Sequence, residues 1–158
     1  MNIDTRNNIL SIVLGIIIIA LGYFLYHAIH DPYQKVIEQK QMTERVRYRM
    51  ANVRDALVQF KNRKEHFPPT DHGLDSLVQF VKTDSMMQAI GDSLLKPMPP
   101  STYNPDSLIY SPRPPHKRFE YTVNDTLRPE IYLLKDPDSN DKIGDLTNTT
   151  KLNAATWE

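Results

Sequence analysis

The hydrophobic positions of the chain are concentrated near its start. Residues 9–26 read Ile-Leu-Ser-Ile-Val-Leu-Gly-Ile-Ile-Ile-Ile-Ala-Leu-Gly-Tyr-Phe-Leu-Tyr and carry no charged side chain. A run of roughly 18 apolar residues is long enough, as a helix, to cross the hydrocarbon core of a bilayer. Four aromatic residues gather at or just after its C-terminal end, where amphipathic rings favour the headgroup region: Tyr23, Phe24, Tyr26 and Tyr33. The pattern predicts a short N-terminal tail, 1–8, and a transmembrane anchor, 9–29.

A cleaved secretory signal is the alternative for such a run. Signal peptides have a basic start, an apolar core of about 7–15 residues and a small-x-small cleavage site. Here Arg6 is offset by Asp4, the run is longer, and the following Tyr-His-Ala-Ile-His offers no small-x-small pair. The chain has no cysteine, and therefore no lipoprotein attachment site. We expect an uncleaved, single-pass anchor in the inner membrane.

A long amphipathic helix is predicted after the anchor, in a segment 30–66 that begins as an exposed neck. Residues 33–65 contain neither proline nor glycine and are rich in helix-forming residues. Five apolar residues recur at spacings of four and three and form one apolar seam: Val46, Met50, Val53, Leu57 and Phe60. A parallel homodimeric coiled coil would place Arg49 opposite Arg54 of a second copy, which disfavours it. We expect the apolar seam to stabilise the chain's own head, while the basic flanks are solvated or meet an acidic partner.

The remainder, 67–158, is predicted to form a small head with proline-rich loops and a polar C-terminal tail. The chain has twelve prolines against five glycines, and proline disfavours continuation of the long helix. Residues 74–81 predict a short second helix. Three runs have strand character and are separated by turn residues: 107–111, 118–123 and 130–134. The expected fold class is α+β, with the transmembrane helix continuing into the amphipathic helix, which packs on a small antiparallel sheet.

One local segment adds a family resemblance. Residues 60–78 read Phe-Lys-Asn-Arg-Lys-Glu-His-Phe-Pro-Pro-Thr-Asp-His-Gly-Leu-Asp-Ser-Leu-Val. This resembles the type II secretion pseudopilin segment in which a long helix ends at aromatic-Pro-Thr and a Gly-Leu-x-x-Leu helix follows. The order of predicted elements is also that of type IV pilins. The Gly-Phe processing site with its following glutamate is missing, so the resemblance implies a pilin-like shape without polymerisation. The whole chain also resembles a group of Bacteroidota single-pass envelope proteins.

A short motif, Asp-(Ser/Thr)-(Leu/Met), occurs five times. It resembles the O-glycosylation signal of exported Bacteroidota proteins, in which the central hydroxyl is modified. The candidate hydroxyls are Ser76, Ser85, Ser93, Ser107 and Thr126. Alternatively, Asp and Ser precede apolar residues because they cap helices and turns. Glycosylation implies a periplasmic head and a cytoplasmic N-terminus, which we expect, although the excess of Lys and Arg after the anchor favours the opposite orientation.

Oxygen-bearing side chains at alternating positions suggest a calcium loop late in the chain. The candidate ligands are Asp136, Asp138, Asn140 and Asp145, in a spacing that resembles known calcium loops. The sixth position is Asp141 rather than glycine, and the twelfth is Thr147 rather than glutamate. A polar turn after a strand is the alternative interpretation.

The sequence gives no sign of catalysis. No glycine-rich phosphate loop or nucleophile elbow is visible, and 19 basic residues balance 19 acidic ones, which does not favour nucleic-acid binding. We expect no enzymatic activity and no cofactor other than calcium. The expected function is that of a structural subunit of a secretion- or pilus-like envelope complex, binding inner-membrane and periplasmic proteins. The alternatives are an accessory subunit of an unrelated inner-membrane complex and a calcium- or cell-wall-binding periplasmic module.

Overall fold

A computed structural model describes residues 3–96, 98–99 and 102–158, including their side chains except those of residues 3–5 and 31. A long N-terminal helix and a small three-stranded antiparallel sheet give the predicted α+β class. The chain divides into two compact units, Met1–Gln41 (unit 1) and Met42–Glu158 (unit 2). The elements in chain order are α1 (Ile3–Lys64), α2 (Gly73–Thr83), α3 (Ser85–Leu94), β1 (Glu120–Asn124), β2 (Ile131–Lys135) and β3 (Lys142–Gly144).

Unit 1 consists of the N-terminal part of α1. The helix begins at Ile3, so the predicted tail is helical from that residue, while Met1 and Asn2 lie outside the described residues. Its large apolar side chains are exposed, to 74% at Ile19 and 73% at Phe24. In the described part of the chain, α1 is the one helix long and apolar enough to cross a membrane. An N-terminal apolar helix of this kind can be a membrane span and is also compatible with a signal sequence.

The end of α1 is set by backbone geometry close to the predicted position. Glu65 takes a left-handed conformation with φ of 67°, and its N–H donates to the carbonyl of Lys61 at 2.7 Å. Such a residue after the last helical turn satisfies a carbonyl that the helix itself leaves open. The chain then turns into Phe67, whose buried ring lies 4.9 Å from the ring of Tyr132 on β2.

The sheet of unit 2 has the order β1-β2-β3, with both pairs antiparallel. Leu134 on the central strand pairs with residues on both neighbours: it lies opposite Tyr121 on β1 and Ile143 on β3. The residues predicted as a polar C-terminal tail belong to this structure. Ala155 forms a bridge with Ile143, and hydrogen bonds of 3.0 Å join residues 154–156 to both ends of β3. The outer edge of β3 is therefore covered by the last part of the chain.

The apolar seam lies in the core of unit 2. Its members Val46, Met50, Val53, Leu57 and Phe60 are all buried, with exposed fractions of 0% for the first four and 7% for Phe60. The Phe60 ring meets the ring of Phe80 on α2 edge to face at 5.2 Å. Each such side chain contributes about 1.5–3 kcal/mol by leaving water. The C-terminal part of α1 therefore serves as the central element of this core.

Two elements differ from the sequence-based expectation. The run 107–111 is not a strand of the sheet: Pro105–Ser107 forms a 3-10 turn, and only Tyr110 pairs, in an isolated bridge with Arg118. The cause is local, because the Asn104 side chain accepts the N–H of Asp106 at 2.9 Å and caps the turn.

The second difference is α3, a helix that the sequence analysis did not predict. Its N-cap is Asp84, whose carboxylate accepts the N–H groups of Met86 and Met87 at 3.0 and 3.3 Å. The capping interpretation of the Asp-Ser motif therefore holds at this position. At the four other copies, no cap of this kind involves the motif's aspartate in the described elements.

Candidate functional site

The loop between β2 and β3 contains the densest group of acidic side chains in unit 2. It leaves β2 at Asp136 and returns at Asp141, and the Asp136 N–H donates to the carbonyl of Asp141 at 3.0 Å. Pro137 follows Asp136, so the next position has no N–H with which to extend the ladder. The result is a closed turn with three aspartates in six residues.

Asp136 is the most unusual residue of this loop. Its side chain is fully buried, and neither carboxylate oxygen has a hydrogen-bond partner among the described residues. The Oδ2 atom of Asp138 is likewise buried without a partner. Taking an unpaired carboxylate out of water costs several kcal/mol. These oxygens can therefore still accept hydrogen bonds or bind a cation.

Two basic side chains lie beside the same loop. Lys117 donates to Oδ1 of Asp138, and Nη1 of Arg113 donates to the Asp138 carbonyl at 3.3 Å. The Nε atom of Arg113 is buried and has no partner in the described structure. The loop thus carries both signs of charge. Asp138 pairs with Lys117 and Asp141 with Arg47, so Asp136 is the one aspartate of this loop without an ion pair in the described structure.

The remaining predicted ligands have other surroundings. Asn140 is exposed. Asp145 caps the turn after β3, where its Oδ1 accepts the N–H and hydroxyl of Thr147 and the N–H of Asn148 at 2.7–3.0 Å. The hydroxyl and N–H donors of Thr147 and the N–H of Asn148 lower the pKa of Asp145 to about 2. No group of three or more His, Cys, Asp or Glu side chains able to hold a metal is present among the described residues.

Asp141 takes part in a contact that the sequence analysis did not predict. Its carboxylate receives two hydrogen bonds from Arg47 on α1, at 2.9 and 3.0 Å, in a two-pronged ion pair. These hydrogen bonds raise the pKa of Arg47. The same guanidinium lies 5.3 Å from the centre of the Trp157 ring, a cation–π distance. Arg47 therefore ties α1 to both the loop and the C-terminal segment.

Three of the five candidate glycosylation hydroxyls are on exposed residues. Ser85 is in the first turn of α3, Ser93 is near the end of that helix, and Thr126 is in the turn between β1 and β2. The Thr126 hydroxyl donates to Oδ1 of Asn124 at 2.6 Å. A bulky modification at these positions would extend into solvent.

The other two candidate hydroxyls are half-buried and already bonded. The Ser76 hydroxyl donates to the His72 carbonyl at 3.2 Å within the first turns of α2. The Ser107 hydroxyl donates to the Asn104 carbonyl at 2.9 Å within the 3-10 turn, away from a strand edge. These two positions offer less room for a sugar than the exposed three.

The segment that resembles pseudopilins joins α1 to α2. Pro68 is buried and its carbonyl accepts the hydroxyl of Tyr121 on β1 at 2.9 Å, while Leu74 and Leu77 lie in the core. Gly73 begins α2 directly against the Tyr121 ring. Comparison of the chain with protein-family models, with curated proteins and with solved structures found no match.

Proposed function

We propose that this protein is a non-enzymatic, membrane-anchored subunit of a secretion- or pilus-like envelope complex, which acts by binding inner-membrane and periplasmic proteins. The supporting observation is the division of α1 into two kinds of surface. Its N-terminal apolar side chains are exposed, whereas the apolar seam is buried in unit 2. The first surface suits lipid or other transmembrane helices, and the second provides the core of a small head. This division also supports the pilin-like interpretation.

The proposed orientation has the N-terminus in the cytoplasm and the head in the periplasm. The Lys and Arg excess after the anchor favours the reverse, but several of these side chains have a role in folding. Arg47 pairs with Asp141, and Arg49 donates to two backbone carbonyls of unit 2. Their number therefore reflects the packing of the head at least as much as topology. The exposed hydroxyls of the glycosylation motif are compatible with modification outside the cytoplasm.

Purification of the full chain from detergent-solubilised membranes, followed by mass spectrometry, tests the assembly role. Co-purification of secretion-like membrane subunits in fixed ratio is the expected result. Hexose-scale mass increments that disappear when Ser85, Ser93 and Thr126 are changed together to Ala would establish the modification. A chain that purifies alone under several mild detergents would contradict the assembly role.

Orientation can be tested independently because the chain has no cysteine. A Thr126→Cys variant carries one thiol in an exposed turn and can be treated with a membrane-impermeant maleimide in intact spheroplasts. We expect labelling without lysis. An Asn8→Cys variant is the matched control and should be labelled only after lysis. The opposite pattern would reverse the proposed orientation.

A second candidate function, calcium binding, is favoured by the unpartnered carboxylate of Asp136. Asp136 and Asp138 would supply side-chain oxygens, and the loop's backbone carbonyls could complete the six to eight ligands that calcium prefers. The test is thermal unfolding of the full chain in detergent, with calcium, magnesium or excess chelator. Calcium should raise the unfolding midpoint of the parent chain but not of Asp136→Asn, whereas Asp125→Asn, an exposed control, should respond like the parent. An identical midpoint in calcium and chelator would exclude this function.

A further inference from the structure

A small pocket opens in unit 2 between the C-terminal part of α1 and the chain that follows α3. Arg45, Tyr48 and Arg49 form its α1 side, while Leu95 and Leu108 give it an apolar wall and Tyr103 contributes a phenol. Its volume is about 40 Å³. One water molecule needs roughly 10–15 Å³ of such space. The pocket therefore has room for about three water molecules. Pockets for whole small molecules are several times larger, so only the end of a ligand can enter.

The charged residues that line this pocket are all basic. Arg45 and Arg49 are the charged residues among those that line it, and no carboxylate does. Arg49 is half-buried, and its Nη1 donates to the carbonyls of Ser107 and Tyr110 at 3.2 and 3.1 Å. Burial lowers the pKa of Arg49. Carbonyl oxygens carry no net charge, so in the described structure this partly desolvated cation lacks a counter-ion.

Arg45 is one turn before Arg49 on the same face of α1, since residues four apart are neighbours on a helix surface. Its side chain has no ion pair or hydrogen bond with another described residue. One acidic side chain, Asp92, influences a residue of the pocket. The pKa of Tyr103 is raised by burial of its phenol and, to a smaller extent, by the negative charge of Asp92. Asp92 is exposed and does not line the pocket. Two arginines with unused donors therefore converge on a space the size of one carboxylate.

We propose that this pocket binds the carboxylate of an acidic side chain on a partner protein, with Arg45 and Arg49 as the paired cations. The inference rests on the proposed assembly function and specifies the chemistry of the partner, an acidic segment. Guanidinium groups match carboxylate geometry with two parallel hydrogen bonds. Tyr48, 41% exposed, provides an aromatic contact at the rim, and Arg and Tyr are the residue types that dominate binding energy at protein interfaces.

The test measures binding of a fluorescein-labelled peptide, Gly-Ser-Glu-Glu-Ser-Gly, to the full chain in detergent by fluorescence anisotropy. The reference peptide has Gln in place of both Glu residues, and both peptides have an amidated C-terminus so that only the Glu side chains differ in charge. We expect selective binding of the Glu peptide, which weakens as salt is raised because exposed charges are screened. Equal binding of the two peptides, or binding of neither at millimolar concentration, would overturn the proposal.

Arg45→Gln is the most informative variant because it removes no side-chain hydrogen bond or ion pair between described residues. It should weaken binding of the Glu peptide about tenfold, the usual size for one charge-assisted hydrogen bond, without changing the thermal midpoint. Lys64→Gln is the matched control, since it removes the same charge from the exposed end of α1, outside the pocket. Unchanged peptide affinity in Arg45→Gln would overturn the assignment.

Two further measurements distinguish this proposal from a lipid headgroup site and from the assembly role on which it rests. If anionic phosphatidylglycerol vesicles bind the chain through Arg45 and the Glu peptide does not, the site is a lipid headgroup site and the protein-partner assignment is wrong. If partners co-purify with the parent chain and remain with Arg45→Gln at unchanged ratio, the pocket assignment fails while the assembly role stands. If no partner co-purifies, the assembly role fails, and the peptide measurement alone decides whether the pocket binds carboxylates.

Discussion

Shortening Leu57 to Ala tests whether the apolar seam stabilises the chain's own head. Leu57 is 0% exposed and is the fourth of the five residues of the apolar seam. Truncation of a buried leucine costs about 2–5 kcal/mol, from lost transfer free energy and the cavity left behind. Alanine regains only a few tenths of a kcal/mol in helix propensity. We therefore expect the free energy of unfolding to fall by about 3 kcal/mol, a large part of the stability of a small domain.

The assay can use the single tryptophan of the chain. Trp157 packs against Arg47, with 5.3 Å from the guanidinium carbon to the ring centre, so its fluorescence should change when unit 2 unfolds. With a urea dependence of about 2 kcal/mol per molar, the expected loss shifts the unfolding midpoint down by about 1.5 M. Val36→Ala is the control, because Val36 lies on α1 but is 48% exposed. Its midpoint should stay within the error of the measurement.

Two results would refute this reasoning. Equal shifts for Leu57→Ala and Val36→Ala would mean that burial in unit 2 does not set the stability. A shift for Leu57→Ala that depends on protein concentration would mean that the apolar seam packs against a second copy, because only association depends on concentration.

Three other predictions concern backbone strain, a buried hydrogen bond and acid sensitivity. Gly144→Ala should lower the free energy of unfolding measured in denaturant by more than about 2 kcal/mol, because Gly144 has φ of 85° and an added Cβ would clash with the carbonyl oxygen of Tyr132. Gly22→Ala is the control: Gly22 has open space around it, so the substitution should cause no measurable loss of stability. Tyr121→Phe should cost about 1 kcal/mol in the same assay, since its hydroxyl donates to a buried carbonyl at 2.9 Å. Asp145 has a pKa lowered to about 2, below the unfolded value near 3.9, so it stabilises the fold above about pH 4 and this contribution is lost as pH falls toward 2. Unfolding midpoints measured from pH 5 to 2 should therefore fall less steeply for Asp145→Asn than for the parent chain.

The long helix and its core face were predictable because their signals are local and repeat many times. The apolar residues from Val46 to Phe60 alternate between spacings of four and three over four turns, and a periodic pattern of that length specifies a helix face without knowledge of the rest of the chain. The boundary between the two compact units was less predictable. It falls between Gln41 and Met42, inside the segment 30–66, where the predicted exposed neck meets the apolar seam without a proline or glycine to mark the boundary.

The sheet was only partly predictable because one of its strands depends on distant partners. β1 and β2 carry recognisable apolar runs, but β3 has only three residues and takes its conformation from β2 on one side and the bridge to Ala155 on the other. α3, in contrast, had a usable local signal in the Asp84 N-cap followed by apolar residues at helical spacing. Capping, the alternative interpretation of the Asp-(Ser/Thr)-(Leu/Met) motif, applies at Asp84, although no helix is predicted there from the sequence.

The candidate calcium loop shows the same limit at the level of single residues. Alternating oxygen ligands are visible in the sequence. The ion pair between Asp141 and Arg47 is not, because it joins positions 94 residues apart. The complete burial of Asp136 likewise depends on where β2 is placed in the folded unit. A sequence motif can therefore propose ligands, whereas the availability of each carboxylate is a tertiary property.

The pairing of residues 154–156 with β3 has a consequence for self-association. An uncovered strand edge presents free N–H and C=O groups that can recruit a strand from another molecule. Here those groups on β3 are occupied by Ala154 and Thr156, each at 3.0 Å. Fraying of this short segment would expose the free edge of β3 to edge-to-edge pairing with another molecule. The C-terminal segment therefore protects this strand edge from pairing with a second molecule, and a tag or fusion that displaced the segment would promote aggregation.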